Sequence, residues 1–180
     1  RVQVFWGDER CVPPDHPDSN YGTAKQHLID PLGLDPAHVH RIAGERDPAA
    51  AAADYERALV AALGAPPVFD LVLLGMGPDG HTASLFPGRP GLGETQRFVI
   101  ANPVTSPLVH GTATRITLTF PAIAAARHTR FLVAGADKAE TLAGVLEGPA
   151  GHYPSQRVTG PDVAWLVDAA AAAKLKGGPT

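Results

Sequence analysis

The stretch from Phe69 to Pro87 reads FDLVLLGMGPDGHTASLFP, and few folds accommodate it. Phe69, Leu71, Val72, Leu73 and Leu74 make a short apolar run that ends in glycines. Such a run predicts a buried strand of a parallel sheet, covered on both faces. Gly75, Gly77, Gly80 and Pro78 then turn the chain tightly, and Asp79 and His81 stand at the far lip of the turn. In open α/β sheets ligands bind where the carboxyl ends of strands pass into such loops, so the active site is expected here. Gly75 to Gly80 also fits the GxGxxG pattern of dinucleotide sites. That pattern needs a long helix after it and an acidic residue closing the next strand. Pro87 cuts the first short, and the next strand, expected over 97–101, runs into Asn102-Pro103 without a carboxylate. A nicotinamide site is therefore not expected.

The 180 residues suit one domain over residues 1–180, long enough to bury roughly 70% of the unfolded surface. A net charge of −3 and a pI near 6.2 give no electrostatic footprint for nucleic acid or an anionic membrane. No apolar run approaches the roughly 20 residues of a membrane span, and no signal peptide is recognised. Cys11 is alone, which excludes a disulfide framework and a cysteine-based zinc site. A cytoplasmic monomer is expected, and the Ala-, Gly- and Pro-rich composition suggests a bacterial source.

The chain opens strand-like over Arg1 to Trp6, with Asp8, Glu9 and Arg10 expected on the loop that follows. Val12 to Asn20 reads as loop, and Asn20 to Ile29 as a short helix. Asp47-Pro48 makes a cap and first-turn pair for a helix to Leu63, with Tyr55, Leu59 and Leu63 on one face. Beyond the central stretch come a strand over 97–101, a polar loop from Asn102 to Thr114 and a strand over 115–119. A helix opens at Pro121, and a strand follows over 131–134. Next comes a helix after Asp137 with Leu142 and Leu146 on one face, then a last strand and helix over 163–174. Alternating strands and helices imply a mostly parallel α/β sheet covered on both faces.

Strand-end loops supply three polar clusters: Asp8, Glu9 and Arg10; Asp79 and His81; Asp137 and Lys138. Arg10 offers a planar fork for phosphate oxygens, against a loop salt bridge with Asp8 or Glu9. Lys138 offers a mobile point charge, against a solvated first-turn lysine. His81 is suited to general-base work near neutral pH, and Asp79 to fixing its tautomer. The structural alternative has Asp79 capping a short helix with His81 in its first turn. Ser84 lacks the G-x-S-x-G elbow of a nucleophile and is expected to face the helix or loop. His38 and His40 read as surface histidines, and Cys11 as a half-buried bystander.

Together these residues resemble the glucosamine-6-phosphate isomerase/6-phosphogluconolactonase family. The likeness runs through WGDER (Trp6–Arg10), DSN (Asp18–Asn20), LLGMGPDGHTASLFP (Leu73–Pro87), RITLT (Arg115–Thr119) and GADKAE (Gly135–Glu140). GMGPDGHTASLFP is the most specific block. The resemblance implies a Rossmann-like three-layer α/β/α fold with a mostly parallel sheet and no cofactor or metal. It implies hydrolysis of a sugar-phosphate lactone in the oxidative pentose phosphate pathway. His81 would be the base that activates water and Asp79 its support. Arg10 and Lys138 would hold the 6-phosphate, with Asp8, Asn20 and Arg115 lining the sugar pocket. Family members carry a further N-terminal strand and a Gly-Gly-Ser-type loop, a part this chain is expected to lack. They also often carry a Lys-Pro-Pro-like run where this chain has Val109 to Thr114, so that His110 stands in place of the lysine.

Two other readings stay open. A glucosamine-6-phosphate deaminase/isomerase-like enzyme would place Asn-Glu-Pro shortly after Asp-Gly-His, where this chain has Ser84-Leu-Phe-Pro87. A non-catalytic sugar-phosphate-binding domain would keep Arg10 and Lys138 but need no His81.

Overall fold

A computed structural model describes residues 2–106 and 109–177, with side chains described outside 105–112. The His110 side chain lies outside the described residues. In chain order the strands are β1 (Val4–Phe5), β2 (Asp8–Arg10), β3 (Val39–His40), β4 (Leu71–Leu74), β5 (Val99–Ser106), β6 (Val109–Leu118), β7 (His128–Val133) and β8 (Val163–Val167). The helices are α1 (Asn20–Ala24), α2 (Asp30–Leu32), α3 (Pro48–Leu63), α4 (Phe120–Ala124) and α5 (Ala139–Glu147). A π-helical turn over Lys25–Ile29 joins α1 to α2, so the helix expected from Asn20 runs on until Gly33 ends it with φ 58°.

The class is α/β. Strands β4, β7 and β8 form a parallel sheet in that order, and β1 pairs with β3 in parallel. The remaining strands make an antiparallel sheet of order β2-β6-β5. α5 provides the crossover that parallel neighbours β7 and β8 require.

Local signals explain most elements. Asp47 caps α3 by accepting from Ala50 N at 2.9 Å, Pro48 opens it and Gly64 closes it. Ala51, Ala52, Tyr55 and Leu59 form its buried face, which lies against β5 and β6. The Tyr55 hydroxyl accepts from Trp6 N (2.7 Å) and donates to Trp6 O (2.9 Å), satisfying both backbone groups just where β1 has ended. Phe131 and Trp165 stack at 3.8 Å between β7 and β8.

Five expectations are corrected. Asp8 to Arg10 is not a loop but a strand, because its alternate residue Glu9 is buried and β6 supplies its backbone partners. The polar loop over 102–114 is largely a hairpin. Asn102 and Val104 are buried on one side of β5, and the pairing extends from Val99↔Leu118 to Ser106↔Val109. No helix follows His81, and residues 82–86 make turns with a Thr82↔Leu85 bridge. The parallel sheet is covered on one face only: Val72 and Leu74 are buried, while Leu71 and Leu73 are 52% and 59% exposed. None of the described residues covers that second face, where Leu132 and Leu166 are exposed too. In α5 the buried residues are Ala139, Thr141, Leu142 and Val145, and Leu146 is exposed.

Candidate active site

The loop that leaves β4 is folded tightly by its own backbone. Gly77 N donates to His81 O (2.9 Å) and Gly80 N to Gly77 O (3.0 Å). Gly80 has φ 73°, a conformation glycine adopts without penalty. Its Cα faces the Tyr153 ring so closely that a Cβ there would stand 2.4 Å from it. Two further ties come from the α5 side: Thr141 Oγ1 donates to Pro78 O (2.7 Å), and Ser155 N to Gly80 O (3.0 Å). Loop and helix thus hold Asp79 and His81 jointly.

Asp79 Oδ1 accepts from His81 N (3.2 Å) and lies 2.5 Å from His81 Nδ1. Opposite an ionised carboxylate Nδ1 carries the proton, which leaves the Nε2 lone pair to act as base. Burial pushes the Asp79 carboxyl up, but the hydrogen bond and charge of His81 outweigh it, and its pKa falls below the ordinary value. The imidazole is stacked on Phe86 with centroids 4.0 Å apart. On the ring a Cβ at Gly77 would meet His81 at 2.1 Å, so glycine is required there by close approach.

His81 and Gly77 line a cavity of about 340 Å³ whose other wall carries Asp8, Arg10, Asn20 and Arg115. These come from the antiparallel sheet and the start of α1. Arg10 and Arg115 are direct partners across β2 and β6, a like-charged pair that disfavours the empty site. Burial, and then the charge of Arg10, lower the pKa of Arg115 from its ordinary value. Arg10 Nη1 donates to the Asp18 carbonyl, and its Nε is buried with no protein partner. The salt bridge of Arg10 with Asp8 or Glu9 is not formed.

Glu9 does something else. Its buried carboxylate accepts from the backbone N–H groups of Arg10, Asn20 and Tyr21 and from the Ser19 hydroxyl. It thereby pins the start of α1, and Asn20 with it, to β2. Asn20 Nδ2 donates to Asp8 O (2.9 Å), and Ser84 Oγ donates to Asp8 Oδ2 (2.6 Å).

Of the expected site residues, His81, Asp8, Arg10, Asn20 and Arg115 face one cavity, and Asp79 supports His81. Lys138 ends the turn after β7, the neighbour of β4, and pairs with Asp137 at 2.9 Å outside the cavity wall. Sequence reading passed over Phe86, Thr141 and Tyr153, and gave Glu9 and Ser84 no part in shaping the site. Their role depends on contacts distant in sequence, although the buried acid at Glu9 follows the two-residue alternation of a strand. Of the two placements expected for Ser84, helix or loop, it lies in a loop, with its hydroxyl on Asp8. Cys11 is half-buried, with burial raising its pKa. His40 pairs with Gln3 and stacks on Phe5. Among the described residues no cluster of His, Cys, Asp and Glu suits a metal ion, and no helix is long and apolar enough to cross a membrane.

The chain is similar to known proteins in sequence and in fold. The 6-phosphogluconolactonase of Streptomyces coelicolor is 43% identical over 97% of this chain and 70% of its own length. That of Mycobacterium tuberculosis is 39% identical over 97% and 74%. Among solved structures, 6-phosphogluconolactonase from Trypanosoma cruzi superposes with a TM-score of 0.84 at 31% identity, covering 97% of this chain and 73% of that one. A monomeric glucosamine-6-phosphate deaminase shares the fold, with a TM-score of 0.80 at 22% identity over 96% of this chain and 75% of its own. The model of the glucosamine-6-phosphate isomerases/6-phosphogluconolactonase family matches residues 1–165, and the chain belongs to that family.

Proposed function

We propose that the chain hydrolyses 6-phosphogluconolactone to 6-phosphogluconate, a step of the oxidative pentose phosphate pathway, by general-base activation of water. The observation that carries this is the shared cavity: the His81–Asp79 dyad faces the Arg10–Arg115 pair across about 340 Å³. An anionic sugar fits between them. Arg10 and Arg115 take the phosphate, Lys138 adds a cation from the neighbouring strand-exit turn, and Asp8 and Asn20 border the sugar. His81 Nε2 accepts a proton from water as its oxygen bonds to the lactone carbonyl carbon. When the ring C–O bond breaks, the imidazolium returns that proton to the leaving alkoxide. Asp79 holds Nδ1–H throughout and stabilises the imidazolium. No electron transfer is involved, and a general base supplies roughly 10²–10⁴ of rate.

The relatives from Streptomyces and Mycobacterium and the single, disulfide-free Cys11 support a cytoplasmic bacterial enzyme. The test is lactone hydrolysis timed against the spontaneous reaction, for the parent and for His81→Ala. Parent acceleration lost in the variant is expected. Acceleration retained in His81→Ala would remove the base from the mechanism, and no acceleration by a parent that still binds the sugar phosphate would favour a binding domain.

A further inference from the structure

Ser84 is fully buried three residues after His81, and its polar groups all reach the antiparallel sheet. Its N–H donates to Thr117 Oγ1 on β6 (3.0 Å), and its carbonyl accepts from Asn102 Nδ2 on β5 (2.8 Å). Its hydroxyl donates to Asp8 Oδ2 on β2 (2.6 Å). One residue on the exit of β4 therefore touches each strand of the other sheet. Ala83, just before it, sits at φ 47°, a left-handed conformation that an L-residue keeps only where its surroundings impose it.

The backbone contacts alone would fasten the loop. The hydroxyl adds a charge-assisted bond to a carboxylate in the cavity wall. That carboxylate is also approached by Asn20 Nδ2 (3.4 Å) and by Arg115 Nη1, which stands at 4.0 Å, beyond hydrogen-bond length. Asp8 is thus held on the side of Ser84 while Arg115 remains turned to the cavity it lines.

We propose that Ser84 is a positioning residue of the anion-binding wall: by occupying Asp8 Oδ2 it prevents Asp8 from capturing Arg115, and so keeps that guanidinium available to the substrate's phosphate. The inference rests on the sugar-phosphate reading of the cavity. Ser84→Ala keeps the Thr117 and Asn102 bonds and deletes only the hydroxyl. Asp8 Oδ2, half-buried and short of a donor, then draws Arg115 in to about 3 Å.

Two measurements decide it. The first is calorimetric binding of 6-phosphogluconate to the parent, Ser84→Ala, Asp8→Asn and the double variant. Ser84→Ala is expected to weaken binding about 10-fold in the parent background and less than about twofold beside Asn at position 8, where no carboxylate remains to capture Arg115. Its kcat on the lactone is expected within about threefold of the parent, since the dyad is untouched. An equal loss in both backgrounds would mean that Ser84 merely braces the fold, and would overturn the proposal. The second is a crystal structure of Ser84→Ala, which needs no ligand: Arg115 bonded to Asp8 supports the proposal, and an unchanged separation refutes it. A parent that fails to bind 6-phosphogluconate would sink the functional reading, while the crystal structure would still decide the role of Ser84.

Discussion

Replacing Gly77 by alanine tests the dyad through a single methyl group. A Cβ built at Gly77 lies 2.1 Å from His81 Nδ1 and Cε1, and ordinary contact begins at 3.4 Å, so the ring must retreat by about 1.3 Å. Phe86 stacks on the ring at 4.0 Å and Asp79 holds Nδ1 at 2.5 Å, so that retreat breaks the Asp79 contact or tilts Nε2 away from the cavity. A misplacement of about 1 Å costs a catalytic group roughly 10²-fold. Gly77 is not in the left-handed region, so alanine meets no backbone penalty. It also restricts the unfolded chain, worth about 0.4–1 kcal/mol in favour of folding. The expected result is kcat lower by about 10²-fold with a nearly unchanged Tm, measured by initial rates of lactone hydrolysis and thermal melting. A variant that keeps kcat within about threefold would refute both the close approach and its catalytic consequence. A variant that lost activity by unfolding would show that the loop, not the ring, had yielded.

Two stability predictions follow from other contacts. Tyr55→Phe strips partners from the N–H and C=O of buried Trp6. It should cost about 2–4 kcal/mol, lowering Tm by about 5–15 °C in a melt at neutral pH; a fall under about 2 °C would mean that water replaces the hydroxyl. The hydrogen bond from Arg41 holds the Glu45 carboxyl at about 2, below its ordinary 4.5. Because the folded value is the lower one, this contribution is complete above about pH 4.5 and is lost as pH falls toward 2. Arg41→Gln should therefore lower Tm at pH 6 and converge on the parent near pH 2; a pH-independent gap would argue against the pairing.

How far the sequence foretells this molecule depends on the range of the contacts involved. The strand before Gly75, the glycine-rich turn and α3 are legible because each is encoded by neighbours, α3 by Asp47-Pro48 at one end and Gly64 at the other. The family motif brought Asp8, Arg10, Asn20, His81 and Arg115 into one site, and the cavity contains them all. The hairpin was illegible because Asn102, Pro103 and the threonines carry loop-like chemistry, and only the mutual pairing of β5 and β6 makes them strand. Asp8 to Arg10 hid its strand behind three charges, since one carboxylate, Glu9, is buried by partners ten or more residues away. The contact of Ser84 was illegible because its partner Asp8 lies 76 residues upstream.

The cavity's two walls belong to sheets that share no strand. Asp79 and His81 hang from the exit of β4, while Arg10 and Arg115 stand on β2 and β6. On the proposed reading, recognition and chemistry are therefore separable in inheritance except where Ser84 links them: substitutions along β2 and β6 can retune which anion is held without disturbing His81, and changes at Asp79 or His81 can alter the reaction while the same phosphate is kept. A family whose description joins an isomerase to a lactonase has, in this division, a physical route from one activity to the other.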